Sequence, residues 1–251
     1  MGAEDVVAFV LVLVRVGSML AFLPLLGGMV VPSVVKALLA MAVSAVLFPV
    51  ARIESVPTHW LGIVLTAAGE VTFGAAMGFS ARVLFKTLRY AGEMIGRQMG
   101  MALSQASDPT HGVKATVVGN FCDAVAILLI FAIGAHRWLL AGIHESLVHW
   151  PVGKLMSGGF LRTLSVSAVG RAFSVAFQIA APLLVLTFII SLLMALMARL
   201  VPEINILIVG FPLRIGVSLA ALMFFTPVLV DCGAKACRMA MQFFTAFRSV
   251  S

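Results

Sequence analysis

Six apolar runs divide this sequence, and they constrain its fold more than any other feature. Several of them reach the ~20 apolar residues that a helix needs to span a bilayer. The runs are Val6–Leu26, Val30–Ala51, Trp60–Ala81, Val117–Ala135, Ala168–Leu200 and Ile206–Val230. The chain is 62% hydrophobic and 11% charged, whereas a soluble domain is roughly half apolar and about a quarter charged. The sequence therefore predicts an all-α integral membrane protein, or a subunit buried in a membrane-associated assembly.

Ionisable residues lie near the middle of nearly every apolar run. They are Arg15, Lys36, Glu70, Asp123, Arg199 and Arg214. A charge at the centre of a bilayer costs ~3 kcal/mol on insertion scales, so these helices are expected to pack against protein or line water. Each charge needs a neighbouring polar group, and a chain of 251 residues hardly supplies enough of them. The pattern therefore predicts a hetero-oligomer.

The formal charge of +7 does not indicate a nucleic-acid-binding protein. The basic residues are spread from Arg15 to Arg248 without a dense run, and one Tyr and three Trp offer few stacking surfaces. Cationic ends of apolar helices facing anionic lipid explain the charge more simply. We expect membrane lipid, and no nucleic acid, among the partners.

The sequence holds no motif that predicts catalysis, a metal or a cofactor. His144 and Glu145 begin a pattern like that of zinc peptidases, but the second histidine is His149, one residue too late. Five residues turn a helix by ~500°, so the two imidazoles would lie on different faces. Neither a phosphate-binding loop of the G-x-x-x-x-G-K-[ST] type nor a G-x-S-x-G nucleophile elbow is present. We therefore expect a protein that is not an enzyme and takes its energy from partners.

A glycine stripe marks the central segment. Gly92, Gly96 and Gly100 recur every fourth residue, which places them on one face of a helix. Each glycine costs a helix interior ~1 kcal/mol relative to alanine. Such a stripe is typical of a helix that another backbone approaches closely, so we predict a helix-packing role for these three residues.

A row of alternating charge lies beside the stripe. Arg89, Glu93 and Arg97 are spaced four residues apart, so they form an i, i+4 ladder on the helix surface. We expect this ladder to be structural.

The C-terminal third reads as one long helical hairpin. Ser165–Leu200 has no breaker except Pro182, which predicts a kink. Pro202–Asn205 ends that helix and turns the chain, and Ile206–Phe225 begins the return arm. The residues assigned to the turn are Pro202, Asn205, Gly210, Phe211 and Pro212.

Two separated motifs resemble signatures of the FliR family of export-gate proteins, called SctT in injectisomes. The first runs from Arg82 through Arg89-Tyr-Ala-Gly-Glu-Met-Ile-Gly-Arg-Gln-Met-Gly to Asp108-Pro109. The second is Asn205-Ile-Leu-Ile-Val-Gly-Phe-Pro-Leu-Arg. Ser165–Phe244 also resembles FliQ, a small two-helix gate subunit. The resemblance implies a FliP-like helical region over residues 1–160 and a FliQ-like hairpin over residues 161–251.

The resemblance implies a function in type III protein export. The chain would be a subunit of the FliP–FliQ–FliR gate, which encloses the path of unfolded export substrates. It would lie in the bacterial inner membrane, at the flagellar basal body. FliP-like and FliQ-like subunits, and an FlhB-like switch protein, would be its partners.

The family also contributes a loop that plugs the closed channel, and Gln105–Phe121 is the matching stretch. Its turn-forming residues and apolar residues suit a movable stopper. The residues assigned to the plug and constriction are Met99, Met101, Ser107, Asp108, Pro109, Gly112, Val117 and Phe121. From the residues alone, a plain connecting loop is the better explanation of this stretch, and only the resemblance favours the plug.

A small-solute secondary transporter is the alternative function. Glu70, Glu93 and Asp123 would then be the carboxylates that couple ion and solute movement. Transporters of this kind usually show two matched halves with broken helices, and the sequence shows no matched halves. Isolation would separate the two hypotheses, because a gate subunit is expected to co-purify with unlike small membrane proteins.

Overall fold

Helices account for nearly all of the backbone described by a computed structural model of the chain. The described residues are 3–23, 32–54, 59–100, 116–153, 158–200 and 206–245. The helices are α1 Ala3–Phe22, α2 Ser33–Leu47, α3 Trp60–Phe85, α4 Thr87–Gln98, α5 Val117–Ala132, α6 Ala135–His149, α7 Gly158–Leu200 and α8 Ile206–Thr245, with a 3-10 turn at Phe48–Val50. Within these ranges the extended pairing is limited to one isolated bridge, between Ile53 and Val152. The predicted all-α class is confirmed.

Glycines with positive φ mark two of the helix boundaries. Gly100, with φ +87°, follows α4, and Gly134, with φ +73°, separates α5 from α6. Side chains disfavour this left-handed region, so glycine is the residue that ends a helix there. Pro182, predicted to kink its helix, lies inside α7, which continues from Gly158 to Leu200.

Five of the described helices are long and apolar enough to cross a membrane: α1, α2 (with the 3-10 turn that follows it), α3, α7 and α8. The bent pair α5 and α6 raises the number to six if it is one span. The prediction of membrane helices is confirmed.

The last two helices are much longer than a bilayer requires. α7 has 43 residues and α8 has 40, which correspond to about 65 Å and about 60 Å at ~1.5 Å per residue. The hydrocarbon core of a bilayer is ~30 Å thick, so lipid tails cannot cover either helix along its whole length.

The contacts group the chain into two units, each made of separated segments. Unit 1 contains Met1–Phe85, Ile130–Arg171 and Cys237–Ser251, and unit 2 contains Lys86–Leu129 and Ala172–Ala236. The predicted division at residue 160 rests on likeness to two other proteins, not on contacts, and it stays a prediction.

The core of unit 2 is built around the glycine-striped helix α4. Its buried members come from α4, the residue after it, α5, α7 and α8: Leu88, Ala91, Ile95, Met99, Val118, Cys122, Ala126, Ala176, Ile179, Ala180, Leu183, Leu222 and Leu229. Ala176 and Ala180 of α7 lie in this core among larger aliphatic residues, and small residues of this kind let helices approach closely. Met99, predicted at a constriction, belongs to this core and has none of its side chain exposed.

Candidate functional site

The glycine stripe of α4 packs against α5 of the same chain. A Cβ added at Gly92 would lie 2.7 Å from Sγ of Cys122 and 3.0 Å from the carbonyl oxygen of Val118. A Cβ added at Gly96 would lie 2.7 Å from Cβ of Thr116. The two 2.7 Å separations are shorter than real Cβ contacts allow and the 3.0 Å separation is tighter than most of them, so glycine is needed for this close approach.

The third glycine of the stripe ends the helix. The N–H of Gly100 donates to the carbonyl of Arg97 over 3.0 Å, and the φ of +87° places Gly100 in the left-handed region. A Cβ added there would lie 3.0 Å from Cε1 of Phe211. Two residues from the separate sequence motifs, Gly100 and Phe211, are therefore brought together in unit 2.

The charge ladder engages α5 as well. Nη1 of Arg89 lies 2.9 Å from a carboxylate oxygen of Asp123, and Nζ of Lys86 lies 3.3 Å from the same oxygen. The carboxylate of Glu93 accepts the backbone N–H of Thr116 over 3.2 and 3.3 Å. The side chain of Arg97 is exposed. Two of the three ladder residues therefore fix α4 against α5.

Replacing Asp123 with asparagine is expected to lower the free energy of unfolding by about 1–3 kcal/mol, because Arg89 and Lys86 lose their carboxylate. Asp123 is only 19% exposed, so water compensates for little of the loss. The matched control is Asp231→Asn, because Asp231 and Lys235 form an i, i+4 pair more than 60% exposed and such pairs contribute less than about 1 kcal/mol. Unfolding of the purified chain in mixed detergent measures the free energy of unfolding of both variants. An equal decrease in the two variants would contradict the prediction.

A buried ion pair lies in unit 1. Arg15 and Glu70 are 1% and 3% exposed, and Nε of Arg15 donates to the Glu70 carboxylate. The guanidinium also donates to the carbonyls of Ser146 at 3.1 Å, Trp150 at 2.7 Å and Pro151 at 3.5 Å. Arg15 therefore joins α1 to α3 and to the carbonyl end of α6.

The other groups around this pair complete its hydrogen bonding. The second carboxylate oxygen of Glu70 accepts the N–H of Gly153 over 2.9 Å, and Gly153 has φ +98°. The guanidinium carbon of Arg15 lies 4.8 Å from the ring centroid of Phe73, which adds a cation–π contact. The sequence predicted too few polar partners within the chain for the charged residues of its apolar runs. This prediction is wrong for Arg15, Glu70 and Asp123, because each of them has a partner in the same chain.

A polar contact joins α7 to α8 in unit 2. Nη2 of Arg214 donates to Oγ of Ser191 over 2.5 Å. Thr187 lies one helical turn from Ser191, and Ser218 lies one helical turn from Arg214; both have 0% exposure. Oγ1 of Thr187 donates to backbone carbonyls of its own helix, whereas Oγ of Ser218 has no partner among the described residues. Arg214 thus also finds its partner within the chain.

Some of the predicted site residues have a different local structure from the expected one. Gly210, Phe211 and Pro212 lie inside α8, so their assignment to the hairpin turn is wrong. α8 contains Pro212 and Pro227, since a helix tolerates an internal proline with a local distortion. Pro202 and Asn205 lie outside the described residues.

Two residues of the predicted plug stretch lie in a helix. Val117 and Phe121 lie in the first two turns of α5, with 73% and 48% of their side chains exposed. Their assignment to a loop is wrong, because Thr116 begins the helix before them. The remaining plug residues, Met101, Ser107, Asp108, Pro109 and Gly112, lie outside the described residues.

A second glycine pair was missed from the sequence. A Cβ added at Gly74 would lie 2.5 Å from the carbonyl oxygen of Arg15, and one added at Gly78 would lie 2.5 Å from that of Met19. These glycines let α1 and α3 approach closely next to the buried ion pair. The G-x-x-x-G spacing was the signal that could have found them.

Comparisons with known proteins agree over most of the chain. A family model described as "Bacterial export proteins, family 1" matches residues 6–239. The flagellar biosynthetic protein FliR of Escherichia coli K12 is 30% identical over 213 residues, 83% of this chain and 81% of that protein. FliR of Bacillus subtilis 168 is 29% identical over 222 residues, 84% and 83% of the two chains. The Yop proteins translocation protein T of Yersinia pestis is 24% identical over 182 residues, 72% and 70% of the two chains.

Proposed function

Because the chain belongs to the bacterial export proteins, family 1, we propose that it is one subunit of the gate through which a type III apparatus passes unfolded proteins. It is a component of a type III export apparatus in the bacterial inner membrane, at the flagellar basal body. In the proposed gate it assembles with FliP-like and FliQ-like subunits and contacts an FlhB-like switch protein. The match over residues 6–239 is the observation that carries the proposal.

The exposed apolar faces of α7 and α8 support assembly with other proteins. Large side chains more than half exposed run along α7 from one end to the other: Val166, Phe173, Phe177, Val185, Phe188, Leu192, Leu193, Leu196 and Leu200. Lipid tails cover only ~20 residues of a helix, and apolar surface in water is unfavourable by ~25 cal/mol per Å². Helices of similar length on partner subunits would cover the remainder.

Unit 2 contains the two residues that flank the proposed plug segment, and it could therefore anchor both ends of that segment. Gly100 precedes residues 101–115 and contacts Phe211, and Thr116 follows them and contacts Gly96. Both anchor residues are buried. In the proposed mechanism, residues within 101–115 close the path, and displacement of that segment opens it while α4 and α5 keep their places.

Nothing in the proposal requires chemistry by this chain. The unfolded substrate would move through a path lined by adaptable apolar and methionine side chains, which accept many sequences. Partners would supply the energy, and the proposal assigns the chain no catalytic residue and no cofactor.

The transporter alternative finds less support. Glu70 is paired with Arg15, Asp123 is paired with Arg89 and Lys86, and Glu93 accepts a backbone N–H. Each carboxylate thus has a structural partner, whereas a coupling carboxylate must exchange its ion during transport.

Affinity isolation of the tagged chain from native membranes in mild detergent tests the proposal. We expect FliP-like and FliQ-like proteins among the co-isolated chains in a fixed ratio. Isolation of a folded monomer or homodimer, from membranes that also contain those proteins, would overturn the proposal.

Deleting Asp108–Gly112 tests the plug. We expect the isolated complex to form in normal yield and to conduct ions when reconstituted, because the stopper is shortened. Planar-bilayer recording measures the conductance, and a matched variant with five Gly/Ser residues in place of Asp108–Gly112 separates loss of length from loss of these side chains. An unchanged, closed conductance in both variants would refute the plug.

A further inference from the structure

The N-terminus of α5 has an ordinary threonine cap and, in addition, a hydrogen bond to a glutamate of another helix. Thr116 precedes the helix, and its Oγ1 accepts the N–H of Gly119 over 3.0 Å, while its carbonyl accepts the N–H of Asn120 over 2.9 Å. This is the usual arrangement of a threonine N-cap. The backbone N–H of Thr116 itself is bound by the carboxylate of Glu93, which lies on α4.

In an ordinary capping box, a Glu or Gln three residues after the cap binds the backbone N–H of the capping residue. That third position is Gly119 in this chain. A Cβ added at Gly119 would lie 2.6 Å from Cδ of Glu93. The space that a local glutamate would occupy is therefore filled by the carboxylate of a glutamate from the neighbouring helix.

The electrostatics of the site favour this arrangement. A helix N-terminus carries a partial positive charge, so a carboxylate beside it is stabilised. Thr116 is 2% exposed, and Gly119 is buried, so water cannot readily replace Glu93 as an acceptor. A buried N–H without an acceptor is unfavourable.

We propose that Glu93, Thr116 and Gly119 form a capping box divided between two helices, in which Glu93 is the positioning residue that fixes the start of α5 against α4. The divided box determines where residues 101–115 end, because Thr116 is the residue that follows them. Its effect on the channel rests on the proposed function, whereas its effect on α5 does not.

Variants of the isolated complex can test the divided box by amide hydrogen exchange of the peptide that covers Thr116–Asn120. Glu93→Ala removes the acceptor, and exchange should become roughly 3- to 30-fold faster, the range expected for loss of a helix cap. Glu93→Gln keeps an oxygen acceptor and should exchange more slowly than the alanine variant. Arg97→Ala, one turn further along α4 and exposed, is the matched control and should exchange as wild type.

The decisive variant moves the glutamate to the other helix. Gly119→Glu alone should be destabilised, because the new side chain meets Glu93. Combined with Glu93→Ala, the same substitution restores a local Thr-x-x-Glu box, and exchange should return to within about 3-fold of wild type. Unchanged exchange in Glu93→Ala, or equal exchange in the Gln and Ala variants, would overturn the divided box.

The ion conductance of the same complexes shows whether the capping box affects closure of the channel as well as the start of α5. Glu93→Ala should leak ions, and the double variant should be closed again. Faster exchange in Glu93→Ala without a leak would leave the capping box in place and would overturn its link to the channel. Should the double variant fail to fold, the comparison of Glu93→Gln with Glu93→Ala still decides the role of the acceptor.

Discussion

Replacing Glu70 with alanine is expected to remove most of the folded protein from a detergent extract. The substitution leaves Arg15, 1% exposed, without its carboxylate and leaves the N–H of Gly153 without its acceptor. Breaking a buried ion pair by removing one partner costs about 3–5 kcal/mol, and the whole stability of a domain is only about 5–15 kcal/mol. Size-exclusion profiles of a fluorescent fusion measure the folded fraction.

Two comparisons make the Glu70 result specific. Glu145→Ala removes the partner of His149 from a more exposed i, i+4 pair in the same unit, and it should change the folded fraction little. The double variant Arg15→Met/Glu70→Met removes both charges and should recover part of the folded fraction, because apolar residues often replace a buried ion pair at small cost. A Glu70→Ala profile equal to that of wild type would show that the pair contributes little.

Replacing Gly96 with leucine is expected to destabilise the folded chain and to abolish assembly of its complex while leaving membrane insertion intact. The first carbon of the new side chain would already lie 2.7 Å from Cβ of Thr116. Overpacking a core costs about 1–3 kcal/mol, and separating α4 from α5 would also break the bond between Glu93 and Thr116. The apolar runs that direct insertion are unchanged, so the chain should still resist extraction by carbonate.

Gly216→Leu is the matched control within unit 2. Gly216 lies in α8 with no atom within 4 Å of an added Cβ, so the folded fraction of the isolated chain should match wild type. A folded Gly96→Leu chain that assembles normally would contradict the close-packing role of the stripe.

The sequence predicted the helices and the close approach of a backbone to α4, but not which backbone it was. Periodicity reports the faces of a single helix and carries no information on the neighbour. The stripe was therefore identified, whereas its contacts with Thr116 and Cys122 depend on the path of the chain around unit 2.

The sequence also does not predict the partners of the charged residues, because these partners lie far away along the chain. Arg15 binds the carbonyl of Ser146, which is 131 residues away in the sequence, and only the fold brings these groups together. The i, i+4 spacing of Arg89 and Glu93 predicts a shared helix face but does not say which residues lie opposite that face. Their observed partners are Asp123 on α5 and Thr116 immediately before it, because the glycines beside them bring that segment within reach.

The turn and the loop were misplaced where local preference competes with packing. Gly210 and Pro212 usually interrupt helices, yet α8 passes through both. The resemblance places Val117 and Phe121 in a plug loop that ends at Phe121, whereas the Thr116 cap begins α5 before both of them. Local preferences are weak beside the packing of a long helix.

The length of α7 and α8 has a consequence for the life of the chain in the cell. The lipid tails of the bilayer cannot cover two largely apolar helices of about 60 Å or more along their whole length. A newly synthesised copy therefore keeps apolar surface exposed until other proteins cover it. In the proposed gate, its abundance would be set by the supply of the partner subunits. A copy made in excess of its partner subunits would stay unassembled and exposed to membrane proteases. Synthesis of all the subunits in balanced amounts is the simplest way to avoid this.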